Sequence, residues 1–337
     1  MHSLGSTLPV TFLRTLTLAP AQHPKGLAHM SAASGLVRVL RRLYVVADDE
    51  LHLGLFDDIG PSGADAAPGT LLRLFEGDLP LQKEQRKATK PDLETLALLP
   101  PLPGCPAGAL LALGSGSKPQ RETGVLLALD AQCAPTGHQT RIDLAPLYAP
   151  LRTHFADLNV EGALLVGDEL LLLQRGNQAD ARSACVRYAW PHVADWLAGA
   201  MTGTAAEPPA PRHVQPLVLG TVDGVPLALT DGTPLHGGAW AFCAVAEATD
   251  NSYQDGRCVA SAIGIVAPDG QMRQLHLLQG APKVEGIAAQ WVGNSWQFTL
   301  VTDPDDRARA AQLLQATLGQ ASTAEGLTYT SEPGSSF

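Results

Sequence analysis

Carboxylates recur at one place in a repeated phrase of this sequence. Asp92 and Glu94 stand in Lys90-Pro91-Asp92-Leu93-Glu94, Glu161 in Asn159-Val160-Glu161-Gly162, and Glu285 in Lys283-Val284-Glu285-Gly286. Each phrase leads into an apolar run. A second apolar run follows and ends in polar groups: Ser115 and Ser117, Arg175 and Asn177, and Asp303. Two looser copies place Ser34 and Asp48, and Asp231 with Glu247 and Asp250, at the same points.

Two chemistries are open to such a set. The oxygens of Asp92, Glu94, Glu161, Glu247, Glu285 and Asp303, with Asn159 and Ser115 beside them, suit a hard divalent cation, calcium above all. Lys90, Lys118, Arg121, Arg175 and Lys283 suit an anionic group such as phosphate, with carboxylates as base or metal ligands. Combined, they describe metal-assisted hydrolysis of an anionic ester or phosphoester. Glu94, Glu161 and Glu285 would be metal ligands or general base, and Arg175, Lys118 and Lys283 would neutralise substrate charge. Asp48, Asn159, Ser115 and Asp231 complete the expected ligand site. The competing expectation is a non-catalytic binding or interaction scaffold, in which the same charges satisfy turn amides or pair with one another. The pairing pattern separates the two. Carboxylates each bridged to a Lys or Arg leave no charge for a metal, whereas three or more converging without a cation imply one.

Other signals are weaker. Gly114-Ser115-Gly116-Ser117-Lys118 lacks the phosphate-loop spacing and is followed by a strand. The run 250–256 is calcium-like in composition but lacks a closing Glu at helix–loop–helix spacing. There is no GxSxG and no paired-histidine metal motif, and no nucleotide or organic cofactor is expected. Trp240, Trp291 and Trp296 read as core residues.

The elements that position these groups are short strands. The chain has 337 residues, 33 Gly and 26 Pro, with 45% hydrophobic and 17% charged residues, which suits many strands joined by turns around a sizeable core. A net charge of −10 argues against nucleic-acid binding through phosphate neutralisation. The five cysteines are dispersed and odd in number, so they are expected to be reduced and structural. The N-terminal stretch lacks the early positive charge of a signal peptide, and no apolar run is long enough to span a membrane. A soluble cytoplasmic protein is expected, with a periplasmic one as the alternative; a small anionic ligand or a protein is the expected partner.

Strand-like runs fall into sets beginning near residues 34, 92, 159, 230 and 283, a period of the length seen in repeat folds. Four antiparallel strands per period make a propeller blade. The fifth set has only three runs, the last of which (311–318) could also be a short helix, while the strand at 11–18 belongs to no set. Supplying it to the last blade closes the ring and removes a sheet edge. The expected fold is therefore all-β: one domain over 1–337, a five-bladed β-propeller of four-stranded antiparallel blades closed by the N-terminal strand. Six blades is the alternative, a pair of β-sandwich domains the third. Residues 192–211 read as an insertion with a helical stretch, 76–91 as a polar link, and the tail from 319 as frayed. In such blades the start of the innermost strand and the end of the second lie at one end of the sheet, so the polar positions should converge on one mouth of the channel, the usual place for a ligand.

At the DLE, NVEG and KVEG phrases the sequence resembles the strand starts of phytase-like esterase domains and SdiA-regulated-type propellers. The fuller pattern, including Gly114-Ser115-Gly116-Ser117, Ala246-Glu247 and Tyr253-Gln254-Asp255-Gly256, runs over most of the chain. The resemblance implies a propeller with a polar central site, often linked to divalent cations, and hydrolysis of an ester or phosphoester. Blades one and four depart from it, with Ser34-Gly35 and Thr230-Asp231-Gly232 in place of the Glu-Gly pair.

Overall fold

A computed structural model describes residues 5–20, 23–58, 66–177, 182–248 and 256–319. After β1 (Val10–Thr15), blade one comprises β2 (Ala33–Val39), β3 (Arg42–Ala47), β4 (His52–Asp57) and β5 (Thr70–Arg73). Blade two is β6 (Leu93–Leu99), β7 (Ala109–Gly114), β8 (Thr123–Leu129) and β9 (Pro135–Asp143). Blade three is β10 (Val160–Val166), β11 (Glu169–Gln174), β12 (Ser183–Ala189) and β13 (His213–Leu217). A small hairpin, β14 (Thr221–Val222) and β15 (Val225–Pro226), precedes blade four: β16 (Ala228–Pro234), β17 (Trp240–Ala248), β18 (Arg257–Val266) and β19 (Met272–Leu277). Blade five is β20 (Val284–Val292), β21 (Ser295–Thr302), β22 (Gln312–Gly319) and, outermost, β1. The five-bladed ring is therefore closed by the N-terminal strand, with Val10 opposite Ala316 and Thr15 opposite Gln312.

The innermost strands β2, β6, β10, β16 and β20 pack side by side around the axis. Strands enclosed on both faces by neighbouring blades need apolar residues at successive positions rather than alternate ones. Leu170 to Leu173 in β11 and Trp240 to Ala246 in β17 are runs of this kind, buried throughout. The core lies between blades: Leu111, Leu113 and Leu126 of blade two meet Ala163, Leu172 and Val186 of blade three.

Residues 312–319 are the expected strand rather than the alternative short helix, since they pair with both β21 and β1. Other expectations need correction. The link at 76–91 holds α1 (Lys83–Thr89), pinned by the buried Arg86. A second helix, α2 (Ala145–Tyr148), opens the connection from blade two to blade three, and the helical part of the 192–211 insertion is α3 (Trp190–Thr202). Trp240 is core, but Trp291 and Trp296 are half-buried and pack edge-to-face at 5.0 Å on the β20–β21 hairpin. The tail beyond 319 and the run 249–255 lie outside the described residues. Cys105, Cys185 and Cys243 are buried free thiols, and Cys133 and Cys258 are half-buried ones. Among the described residues no helix is long and apolar enough to cross a membrane.

Candidate functional site

Every innermost strand carries a β-bulge at the same place. Pairing skips Glu94 in β6, Glu161 in β10, Glu285 in β20, Thr230 in β16, and Ser34-Gly35 in β2. A bulge leaves one residue out of the ladder and re-aims its side chain. Here it turns three glutamates into the channel mouth. The residue after each Glu belongs to the layer where adjacent blades touch. A Cβ on Gly162 would lie 3.1 Å from Asp231 Cα, and one on Gly35 2.5 Å from Leu96 N, so the Glu-Gly pair joins a mouth group to a close backbone approach.

Two further polar layers sit beside the bulges. Backbone N–H groups at the ends of the second strands donate to residues preceding the inner strands: Asp48 to Ala32 (3.3 Å), Ser115 to Asp92 (3.0 Å), Arg175 to Asn159 (2.9 Å) and Asp303 to Lys283 (3.1 Å). Most of the expected residues therefore converge around one cavity of about 830 Å3: Asp48, Asp92, Glu94, Lys118, Asn159, Glu161, Arg175, Glu247, Lys283, Glu285 and Asp303 line it. Blade four differs, presenting Leu227 and Ala228 there beside Glu247.

Two expected residues are placed elsewhere. Asp231 does not line the mouth. It occupies the position filled by glycine in blades three and five, is fully buried, and accepts a hydrogen bond from Ile287 N at 3.0 Å, tying blade four to blade five. Burial raises its pKa well above the usual carboxylate range. The strand bulges at Thr230, one residue earlier, so the side-chain parity assumed from the sequence is reversed. Ser115 is buried beneath the mouth and donates to Asp92 Oδ2 at 2.6 Å.

The ion pairs form two connected groups. Lys90 pairs with Asp48, with Asp92 at 2.8 Å and with Asp49 at 3.3 Å. Arg86 pairs with Asp49 at 2.7 Å, and Arg121 with Asp92 at 2.6 Å. Across the mouth, Arg175 pairs with Glu247, with Glu161 at 3.2 Å and with Glu285 at 3.6 Å. Lys283 pairs with Asp305 at 2.5 Å, Glu247 at 3.1 Å, Glu285 at 3.5 Å and Asp303 at 3.6 Å. Asn159 Nδ2 donates to Glu161 Oε1 at 2.5 Å. Asp49, Arg86 and Asp305 were missing from the expected set. Asp49 follows Asp48 directly and Asp305 sits two residues past Asp303, so both were within reach of a repeat reading, whereas Arg86 depends on how α1 docks.

Glu94 stands apart. Among the described residues it makes no hydrogen bond or ion pair, and one of its oxygens lies with oxygens of Asp48 and Asp92 in a group mutually within 4.8 Å. Asp48 also has a buried oxygen, Oδ1, without a hydrogen-bond partner. Those three residues could hold a metal ion.

Bridging is not the same as neutralising. Eight carboxylates share the five cations Arg86, Lys90, Arg121, Arg175 and Lys283 in these pairs, Glu94 joins none of them, and over the whole cavity eleven carboxylates stand against nine Lys or Arg side chains among the described residues. Like charges out of water hold protons. Burial, then Glu161 and Asp92, raises Glu94 well above its usual range. Burial also lifts Glu285 to about 8 and Asp48 to about 6, despite Lys283, Arg175 and Lys90 beside them. Asp303 is raised well above its usual range by burial, against Lys283. Glu247 goes the other way: burial would raise it, but Arg175 and Lys283 more than offset that and hold it below its usual value.

The stability of the fold should follow these shifts. A carboxyl whose folded pKa is raised binds its proton more tightly in the folded state, so its contribution is greatest at acid pH and is lost as pH rises through the folded pKa. For Glu285 that window runs from the ordinary value of 4.5 to about 8. Each excess proton held by the folded state gives a slope of about 1.4 kcal/mol per pH unit. Unfolding free energy is expected to fall between about pH 5 and pH 8, and Glu285→Gln to flatten that slope. Denaturant titrations across this range check it; a slope that rises with pH contradicts it.

Fold and site together define a five-bladed β-propeller with a charged channel mouth. The chain belongs to a family of unknown function (DUF6910), whose model matches residues 86–307. No curated protein matches it. Its fold is similar to that of Myxococcus xanthus glutaminyl cyclase, at 9% identity and a TM-score of 0.43, covering 93% of this chain and 99% of that one. It is similar also to a mannose phosphorylase from Leishmania mexicana, at 11% identity and a TM-score of 0.40, covering 93% and 88%. An α-L-arabinofuranosidase from Fusarium graminearum gives 8% identity and a TM-score of 0.40, covering 94% and 98%. At these values the likenesses bear on neither reaction nor ligand.

Proposed function

We propose that the mouth takes up a cation, and that the protein uses it to bind and hydrolyse a small anionic ester or phosphoester. The observation that carries the cation is the carboxylate excess, concentrated where Glu94 has no partner among the described residues and Asp48 Oδ1 is orphaned. Asp48, Asp92 and Glu94 would hold a divalent cation, calcium first, whose oxygen-ligand chemistry they match. Bound there, it would polarise an ester or phosphoryl oxygen. Glu161 and Glu285, at the same strand position as Glu94, would accept a proton in their ionised forms. The roles first expected of Arg175 and Lys283 do not suit the geometry, since each is already shared by several carboxylates. Lys118, with Lys83, Lys87 and Arg307, also lines the cavity and would meet the anionic end of a substrate. The resemblance of the repeated Glu-Gly phrases to phytase-like propellers supports this choice of reaction.

One observation favours a second role. Lys90 and Arg121 already sit on the oxygens of Asp48 and Asp92, so the charge that cluster gains when Glu94 gives up its proton is a single negative one. A single positive charge, such as an organic ammonium, matches that charge as well, and a propeller holding one would be a binding scaffold rather than an enzyme. Thermal unfolding of chelator-treated protein separates the two, since a ligand of the folded state raises the melting temperature with its concentration. Calcium, magnesium and manganese are tested beside ethylammonium, on the wild type and on Glu94→Gln. A rise with a metal that the variant loses supports the hydrolase and justifies screening phosphoesters and carboxylic esters. A rise with ethylammonium alone supports the scaffold. No rise with any of them sinks both.

A further inference from the structure

The five blades do not furnish the mouth alike. Blades two, three and five each turn a bulged glutamate into it. Blade four bulges at Thr230, whose hydroxyl is buried and donates to the Val284 carbonyl oxygen at 2.9 Å. What that blade and the residues before it set along the cavity is apolar: Pro226, Leu227 and Ala228, with Val245 opposite Ala228 on the paired strand. Elsewhere in the described lining apolar side chains stand singly, as Ala32 and Leu158 do. Glu247 borders the patch but pairs with Arg175 and Lys283.

The patch is pre-formed. The β14–β15 hairpin delivers the chain to it, and Leu227 N–H donates to Gly220 O at 3.0 Å. Leu227 and Val245 are almost wholly buried, and Leu227 belongs to the core between blades three and four. Pro226 is exposed and Ala228 half-buried, so these two offer surface to a ligand. Their place in the ring gives the patch its meaning. The inner strands are neighbours in the order β2, β6, β10, β16, β20 and back to β2. Blade four therefore adjoins blades three and five and lies across the channel from blades one and two. The opposite side holds Asp48 at the end of blade one's second strand, and Asp92 and Glu94 at the start of blade two. A molecule that reaches across the mouth meets carboxylates at one end and apolar side chains at the other. Removing apolar surface from water is favourable, whereas a hydroxyl pressed on such a wall loses water without gaining a partner.

Resting on the cation reading above, we propose that the mouth selects an ester bearing an apolar aryl or short alkyl group. That group lies on Pro226 and Ala228, while the ester oxygens meet the cation at Asp48, Asp92 and Glu94. Esters of sugars and polyols, whose hydroxyls would face this wall, are the disfavoured class. Pro226 and Ala228 set specificity and take no part in the chemistry. The departure of blade four from the Glu-Gly pattern thus gives the ring a charged side and an apolar side.

Calorimetric titration of phenylphosphonate and methylphosphonate into the full chain, in excess calcium, tests it. Neither is an ester, and the two differ only in the apolar group. Wild type is compared with Ala228→Asn, Pro226→Ser and Ala228→Val. The expected result is saturable binding of both, about tenfold or more tighter for phenylphosphonate. Ala228→Asn and Pro226→Ser should remove most of that preference and leave methylphosphonate unchanged, while Ala228→Val should keep it. Pro226 is exposed, so its variant decides the matter if Ala228→Asn does not fold. Equal affinity for the two phosphonates, or a preference that the polar variants retain, overturns the apolar subsite alone. Binding of neither phosphonate also overturns it, and if calcium then fails to raise the melting temperature the cation reading falls with it.

Discussion

Arg175→Met is expected to destabilise the fold by about 3–5 kcal/mol at roughly pH 7.5, the usual loss when one partner of a buried ionic group is removed. Its guanidinium is shared by Glu161, Glu247 and Glu285, the first and last of them buried. Methionine keeps much of the aliphatic volume, so the loss reads charge rather than packing. The pH dependence makes the result diagnostic. Without Arg175, all three carboxylates lose an attraction that lowers their pKa values. Their protons then stay bound to higher pH, and the penalty shrinks as the solution is acidified. At about pH 5 the variant should recover much of the loss. Denaturant unfolding at the two pH values measures it. A loss under about 1 kcal/mol at both would place the pair in the surface class and contradict a desolvated mouth.

Gly286→Ala is expected to cost about 3 kcal/mol, at the upper end of ordinary overpacking. The backbone there is not left-handed, so the chain itself tolerates alanine. The obstacle is the neighbouring blade. An added Cβ would press into the Ser34 carbonyl oxygen and lie 2.7 Å from Val301 Cγ2 and 3.0 Å from Leu36 Cβ. A backbone carbonyl cannot rotate away, so the seam between blades five and one must open. Gly319→Ala, where nothing lies within 4 Å, is the control and should be near neutral. Equal, small effects at both positions would show that the glycine of the Glu-Gly pair does not set blade spacing.

The ring was legible because its cause is local and repeated. Each blade must start an inner strand at the mouth and return to it, so polar residues recur at two fixed points, and a chain that leaves β1 without a set of its own must use it to close the last blade. The mouth was legible for the same reason. What was hidden depends on single-residue parity and on distant segments. The Thr230 bulge sends Asp231 inward, where it bonds Ile287 N instead of a ligand. Nothing in Thr230-Asp231-Gly232 distinguishes that from the Glu-Gly arrangement until the register is known. Arg86 enters the Asp49 carboxylate from a seven-residue helix in a stretch that reads as a polar link. The sharing of Arg175 and Lys283 among several carboxylates could not be counted along the chain either.

The most direct test of a cation at the mouth is crystallographic. Crystals of chelator-treated protein are soaked in manganese and an anomalous difference map is calculated. The expected result is a peak at ~2.0–2.6 Å from carboxylate oxygens of Asp48, Asp92 and Glu94, absent in Glu94→Gln. A map with no peak among these three residues, at a manganese concentration that labels other carboxylates on the surface, would contradict it.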